Sequence, residues 1–176
     1  MRVIGLAGYP GVGKDEVAKI LANFIEDTAV ISFADPLRKI VGVLEGIAPQ
    51  ALKLQEVKAR PSRLNPSLSR RQVLELIGTE GGRELISDSI WVDLMGFKLT
   101  ALESQNYDLV VIPDVRFINE IAMVKAFDGE VIWIDRPGCV STGHKSSQDI
   151  SGFCDNTFSN NSTINDLADT VRDLFL

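Results

Sequence analysis

Gly8-Tyr9-Pro10-Gly11-Val12-Gly13-Lys14-Asp15 is the stretch of this 176-residue chain whose residue types and spacing carry the most chemistry. It follows G-x-x-x-x-G-K, with aspartate where serine or threonine usually stands. Glycines let the backbone bend until successive N–H groups converge on an anion. A helix start directly after them adds partial positive charge. The chemistry is phosphate binding, so Gly11, Val12, Gly13, Lys14, Asp15 and Glu16 are the residues expected to hold a nucleotide. Lys14 would reach the β- and γ-phosphates and steady charge on a group in transfer. A hydroxyl at position 15 would ligate Mg²⁺ directly. Asp15 brings a full negative charge instead, and three roles stay open for it: metal ligand, metal partner through water, or helix cap.

Such a turn works only between a strand and a helix, and the flanking sequence supplies both. Residues 2–7 are a short apolar run ending in glycine, which predicts a buried strand. Val17, Ile20, Leu21, Phe24 and Ile25 recur at helical spacing, which predicts an amphipathic helix over 14–26. Ala29 to Phe33 reads as a second strand, and Asp35-Pro36 as a helix start with aspartate at the cap. Residues 46–68, holding Gly46, Pro49, Pro61 and Pro66, form a long excursion with a short helix near 50–57. Helical periodicity returns over 69–77, 80–87 and 89–103. Leu109 to Ile112 is the clearest buried strand, terminated by Pro113-Asp114. A helix over 117–127, a strand over 130–135, a mobile loop over 137–152, an extended piece near 155–159 and a helix over 163–175 complete the order.

Strands that are nearly continuous apolar runs, alternating with helices, predict a mainly parallel sheet covered on both faces. The expected fold is one α/β domain over 1–176, a three-layer sandwich like that of P-loop nucleotide hydrolases. A helical acceptor-binding insertion at about 46–103 and a lid at about 137–152 are added to it. Ligands in such folds bind at the carboxyl ends of the strands, where Asp35, Asp114 and Asp135 fall.

Composition narrows the function classes. No apolar run approaches the roughly 20 residues of a membrane span, and the apolar start is too short for a secretory signal. Cys139 and Cys154 make neither a metal spacing nor a disulfide framework, so a cytoplasmic protein with reduced thiols is the expectation. His144 is the only histidine, which leaves no Ser-His-Asp or Cys-His triad to assemble. The net charge of −6 argues against a general nucleic-acid coat. The charge is uneven, however. Lys53, Lys58, Arg60, Arg63, Arg70 and Arg71 are opposed only by Glu56 in their segment, +5 against −11 for the remainder. A basic segment on an acidic body suggests a local anion site.

Five stretches together resemble the bacteriophage deoxynucleoside monophosphate kinases. They are Gly11-Val-Gly-Lys-Asp15, Ser32-Phe-Ala-Asp-Pro-Leu-Arg38, Leu76-Ile-Gly-Thr-Glu-Gly-Gly-Arg83, Ile112-Pro-Asp-Val-Arg-Phe-Ile-Asn-Glu120 and Ile134-Asp-Arg-Pro137. The resemblance implies transfer of the ATP γ-phosphate to a deoxynucleoside monophosphate with Mg²⁺, and makes a homodimer plausible. One departure stands out. The family commonly carries His-x-Ser-Glu in the lid region, whereas this chain has His144-Lys-Ser-Ser-Gln148, without the glutamate.

Each stretch also offers site residues on chemical grounds. Asp35 could orient an acceptor group, bind metal through water, take a proton, or cap its helix. Arg38, a turn later, could point back at an acceptor phosphate. Arg70 and Arg83 are anion candidates, because a guanidinium offers a planar fork of donors. Thr79 is placed to cap the helix leading to Arg83. Trp91 is core or a base-stacking surface. Asp114, ending its strand, is a metal candidate beside Asp15, and Arg116 would face the same crevice. Asn119-Glu120 reads as helix capping and packing. Arg136 opens the lid and is the candidate for neutralising charge on the transferred group, with Lys145 a weaker one. His144 is expected to be a loop residue without catalytic duty.

Two other readings stay open. The basic 53–71 segment could track DNA, and Asp35 would suit a neutral hydroxyl. Both features fit a kinase acting on a hydroxymethyl pyrimidine, such as 5-hydroxymethyluracil, within phage DNA. A nucleotide-binding switch without an acceptor is the last reading, and it leaves the rim arginines unexplained.

Overall fold

A computed structural model describes residues 1–161 and 163–175. The chain divides into two compact units, 1–32 with 95–176 and 33–94. The helical insertion expected at about 46–103 overlaps the second of these units.

The first unit is built on five parallel strands: β1 (Arg2–Ala7), β2 (Thr28–Val30), β3 (Leu109–Val115), β4 (Glu130–Asp135) and β5 (Asn156–Ser159). Their order across the sheet is β2-β3-β1-β4-β5. β1, β3 and β4 are central and buried on both faces, which is why their sequences run apolar without alternation. The helices of this unit are α1 (Lys14–Phe24), α6 (Ile118–Ala126) and α7 (Ile164–Phe175). Val17, Ile20 and Leu21 of α1 pack with Ile4, Leu6, Val111, Ile132 and Ile134 of the sheet and with Leu167, Val171 and Phe175 of α7. Burying such side chains stabilises the unit by about 1.5–3 kcal/mol apiece.

Two strand expectations need correction. β3 does not stop at Pro113 but runs through Asp114 to Val115. Gly5 pairs with Ile112 and Ala7 with Val115, so β3 carries one extra residue opposite β1. Pro113 has no N–H to give a ladder and is accommodated at that bulge. β2 is shorter than the apolar run 29–33. It ends at Val30, although the Ile31 N–H still reaches the Val111 carbonyl at 3.0 Å.

The second unit holds α2 (Asp35–Glu45), a 3₁₀ turn (Pro49–Lys53), α3 (Gln55–Ala59), α4 (Arg70–Glu75) and a π-helix (Leu76–Glu84). The next helix, α5 (Ile90–Glu103), begins in this unit and continues into the first. Val41, Leu52 and Val73 form the centre, with Leu37, Ile47, Val57, Leu68, Leu74 and Ile77 around them. Asp35 does not cap α2. Ala34 holds the cap position without a side-chain bond, and Asp35 lies in the first helical turn with Pro36. Ser69 caps α4 by accepting from the Gln72 N–H, while Gln72 Oε1 accepts from the Ser69 N–H at 2.8 Å.

Instead of two helices separated by a Thr79 cap, α4 continues directly into the π-helix, and Thr79 is buried within it. The widened turns are held by Trp91, whose indole Nε1 donates to the Gly78 carbonyl at 2.7 Å. Gly82 is required by the same contact, because a Cβ there would lie 2.7 Å from Trp91 Cζ2. Among the described residues no helix is long and apolar enough to cross a membrane.

Candidate active site

In the first unit the Gly8–Lys14 turn sits between the carboxyl end of β1 and the start of α1, as its chemistry demands. Gly8, Gly11 and Gly13 have φ of 138°, 90° and 101°, the left-handed values that turn backbone N–H groups inward. At Gly13 the constraint is doubled, since a Cβ would come within 2.6 Å of Asn160 Nδ2. α1 begins at Lys14 without a side-chain cap, and Asp15 and Glu16 occupy its first turn. The first N–H groups of a helix have no partner within it and are donors available to an anion.

Lys14 folds back over the turn, its Nζ donating to the Gly8 carbonyl at 2.6 Å and the Tyr9 carbonyl at 2.8 Å. Burial, with the nearby Arg116 guanidinium, lowers its pKa to about 8, against the opposing pull of Asp15 and Asp114. Asp15, Asp114 and Arg116 therefore all lie near enough to act on the Lys14 charge. Asp15 is exposed and Asp114 half-buried in β3. Two carboxylates are hard oxygen donors of the kind Mg²⁺ takes, along with water and phosphate oxygens. Among the described residues no group of three or more His, Cys, Asp or Glu could hold a metal by itself. This donor set fits a metal shared with phosphates and not one caged by protein.

Glu120 explains how the Asp114–Arg116 segment is held. Its carboxylate accepts from the Arg116 N–H at 2.6 Å and the Phe117 N–H at 3.2 Å, fixing the entry to α6, in agreement with the capping expectation. The segment 137–152, expected to be a mobile loop, is more structured than its composition predicts. It contains short 3₁₀ turns at Lys145–Ser147 and Ser151–Phe153. Ser141 Oγ donates to the Ser147 carbonyl at 2.6 Å, and Arg116 Nη1 donates to Ser146 Oγ at 3.3 Å. The Tyr9 hydroxyl bonds to Asp149; burial raises the phenol pKa and this carboxylate raises it further. Hydrogen bonds from Ser151 and Tyr9 hold Asp149 below the usual carboxylate range. His144 is a turn residue, its Nδ1 accepting from the Ser146 N–H at 3.1 Å. Arg136 is exposed where the segment leaves β4.

In the second unit Asp35 and Arg38 form an ion pair at 2.9 Å on one face of α2. The remaining candidates there are occupied with building the unit. Arg70 Nε donates at 2.9 Å to Glu45, whose side chain is fully buried. Burial would raise the Glu45 carboxyl, but bonds from Ser62, the Arg63 N–H and Arg70 outweigh it and hold it below its ordinary value. Arg83 is buried and donates from Nη1 to the Asp88 carbonyl at 2.7 Å. Trp91 is 7% exposed and packs in the core. Arg70 and Arg83, expected as anion ligands, are thus bonded within this unit, and Trp91 takes the core place that was one of its two expected readings. Glu45 and Asn160 were not foreseen. Nothing in their local sequence marks them, since both act on residues distant along the chain.

The family model for deoxynucleotide monophosphate kinase matches residues 44–171, a span that begins after the phosphate-binding turn. A putative deoxynucleotide monophosphate kinase of Acanthamoeba polyphaga mimivirus is 33% identical over 153 residues, covering 80% of this chain and 77% of that one. The deoxynucleoside-5'-monophosphate kinase of Escherichia phage T5 is 27% identical, covering 67% of this chain and 69% of its own. Among solved structures, a dephospho-CoA kinase from Campylobacter jejuni has TM-score 0.56 at 16% identity, covering 99% of this chain and 96% of its own. Shikimate kinase from Aquifex aeolicus has TM-score 0.50 at 14% identity, covering 97% and 94%. At such identities the likeness establishes the P-loop kinase fold.

Proposed function

Because this chain belongs to the deoxynucleotide monophosphate kinase family, we propose that it moves the γ-phosphate of ATP, with Mg²⁺, onto the phosphate of a deoxynucleoside monophosphate. The P–O bond to the β-phosphate breaks, a bond to an acceptor phosphate oxygen forms, and the products are ADP and the nucleoside diphosphate. The observation that carries this proposal is the Gly8–Lys14 turn, with three left-handed glycines and an amine poised over it.

Little covalent chemistry falls to the protein; aligning two anions and shielding their repulsion is the task. Gly11 to Glu16 bind the triphosphate through backbone N–H groups. Lys14 exchanges its two carbonyl partners for phosphate oxygens. Mg²⁺, when bound with Asp15 and Asp114 nearby, supplies neutralisation of phosphate charge. A monophosphate with a second pKa near 6 is already ionised at pH 7, so the acceptor needs no general base. Asp35 then serves to hold the Arg38 guanidinium in place for the acceptor phosphate. Arg116 and Arg136 add positive charge, and the lid excludes water that would otherwise take the phosphate.

The test offers the purified protein γ-labelled ATP and Mg²⁺ with each deoxynucleoside monophosphate, with ordinary DNA and with DNA containing hydroxymethyluracil. Label in a nucleoside diphosphate is the expected result and reveals the base preference. Label retained in modified DNA would move the acceptor to a polynucleotide. No label in any acceptor would leave a nucleotide-binding switch.

A further inference from the structure

We propose that Asn160 is a positioning residue for the phosphate-binding turn, holding its central peptide in the orientation that binds phosphate. The inference rests on the assignment of Gly8–Lys14 to ATP. Asn160 directly follows β5, at the opposite end of the chain from the turn. Its backbone N–H donates to the Asp135 carbonyl at 2.8 Å, which extends the β4–β5 ladder by one step and fixes the residue. Its side chain then reaches across 148 positions of sequence, and Nδ2 donates to the Val12 carbonyl at 2.8 Å. The residue is buried, with 6% of its surface exposed.

The consequence follows from the geometry of one amide. The Val12 carbonyl and the Gly13 N–H belong to the same planar trans peptide and point in opposite directions. Drawing that carbonyl toward Asn160 turns the Gly13 N–H away from it, and on this proposal toward the phosphate. The Val12 side chain is fully buried in the core, so the peptide is held at both its side chain and its carbonyl. Gly13 is fitted to the same contact, since any Cβ would meet Asn160 Nδ2 at 2.6 Å. Only an amide suits the place. An ionised aspartate of the same shape has no donor and would set an oxygen against the Val12 carbonyl.

Two variants of the full chain, Asn160→Asp and Asn160→Ala, separate this role from simple packing. The first readout is taken without nucleotide: backbone amide resonances of Gly11, Gly13 and Lys14, with the melting temperature recorded alongside. The second is ATP affinity by calorimetry, together with KM for ATP and for the deoxynucleoside monophosphate. Expected are displaced turn amides in both variants and an ATP affinity weakened about tenfold in Asn160→Ala, the usual consequence of orphaning a buried acceptor. Asn160→Asp is expected to be weaker still, while the KM for the monophosphate is unchanged. Unaltered turn amides and ATP affinity in Asn160→Ala would overturn the proposal, even if Asn160→Asp were impaired by its charge. A lower melting temperature with ATP affinity intact in the folded fraction would also overturn it, leaving a packing role. If the wild type binds ATP but transfers no phosphate to any deoxynucleoside monophosphate, the acceptor assignment fails. The amide shifts and ATP affinities would still decide the role of Asn160.

Discussion

Lys14 is buried enough that its pKa falls to about 8, yet it remains mostly charged at neutral pH and satisfies itself on two carbonyls of its own turn. An amine held this way is available to phosphate by exchanging neutral carbonyl acceptors for an anionic one. Lys14→Ala should therefore retain a cooperative thermal transition while turnover falls by roughly 10³-fold or more, the scale of losing a principal charge contact to the transferred group. Near-normal turnover would remove the turn from the chemistry. Gly13→Ala tests the backbone directly. A methyl group at φ 101° would strike Asn160, so ATP binding should be lost although no charge has changed. Retained ATP affinity in this variant would mean that the turn tolerates another conformation. Of these residues, Lys14 and Gly13 were legible in the sequence, because their spacing is a pattern fixed by phosphate geometry. Asn160 was not, because a single asparagine in Ser159-Asn160-Asn161 gives no sign that it will reach Val12.

Elements whose burial is uniform were the easiest to read. β1, β3 and β4 are covered on both faces and spell that out as apolar runs, and α1 and α7 show their buried stripes at helical spacing. The π-helix was not legible. Its wide turns depend on Trp91 bonding the Gly78 carbonyl from another helix, and a glycine-rich stretch read locally looks like a break between helices. The Glu45 network was hidden for the same reason, since α2, Ser62 and Arg70 meet only after folding. Glu45 gives this unit a pH signature. Its pKa is held below the ordinary value, so its contribution to stability is present above about 4.5 and is lost as pH falls through the folded value. Glu45→Gln should cost about 2 kcal/mol at pH 7, the scale of a hydrogen bond to a charged group. The deficit relative to wild type should shrink as the pH drops below about 4.5. Denaturant unfolding across pH 3 to 7 checks this, and a deficit independent of pH would show that the carboxylate charge is not what holds Arg70.

At the scale of the molecule, the distribution of charge separates a small acceptor from a polynucleotide. The 53–71 segment carries six cations by sequence, on a chain whose net charge is −6. Folding engages at least three of them: Arg70 pairs with Glu45, Arg71 bonds to Gln55, and Lys58 is half-buried with a partner of its own. Lys53, Arg60 and Arg63 remain exposed. The logarithm of DNA affinity falls with the logarithm of salt by about 0.9 per phosphate contact. Three contacts would thus lose about fortyfold in affinity between 50 and 200 mM salt, and six roughly two-thousandfold. With the body of the protein strongly negative, even the three-contact case begins from weak binding. Fluorescence anisotropy on duplex DNA across that salt range is expected to show weak association with a shallow slope. Turnover on a saturating deoxynucleoside monophosphate should change little over the same range, because the acceptor offers one phosphate and not a track of them. A slope of about 5.4, that of six contacts, with tight binding at low salt would mean that Lys58, Arg70 and Arg71 leave their partners for phosphates. In that event the second unit is a DNA-binding surface, and the acceptor belongs within the polynucleotide.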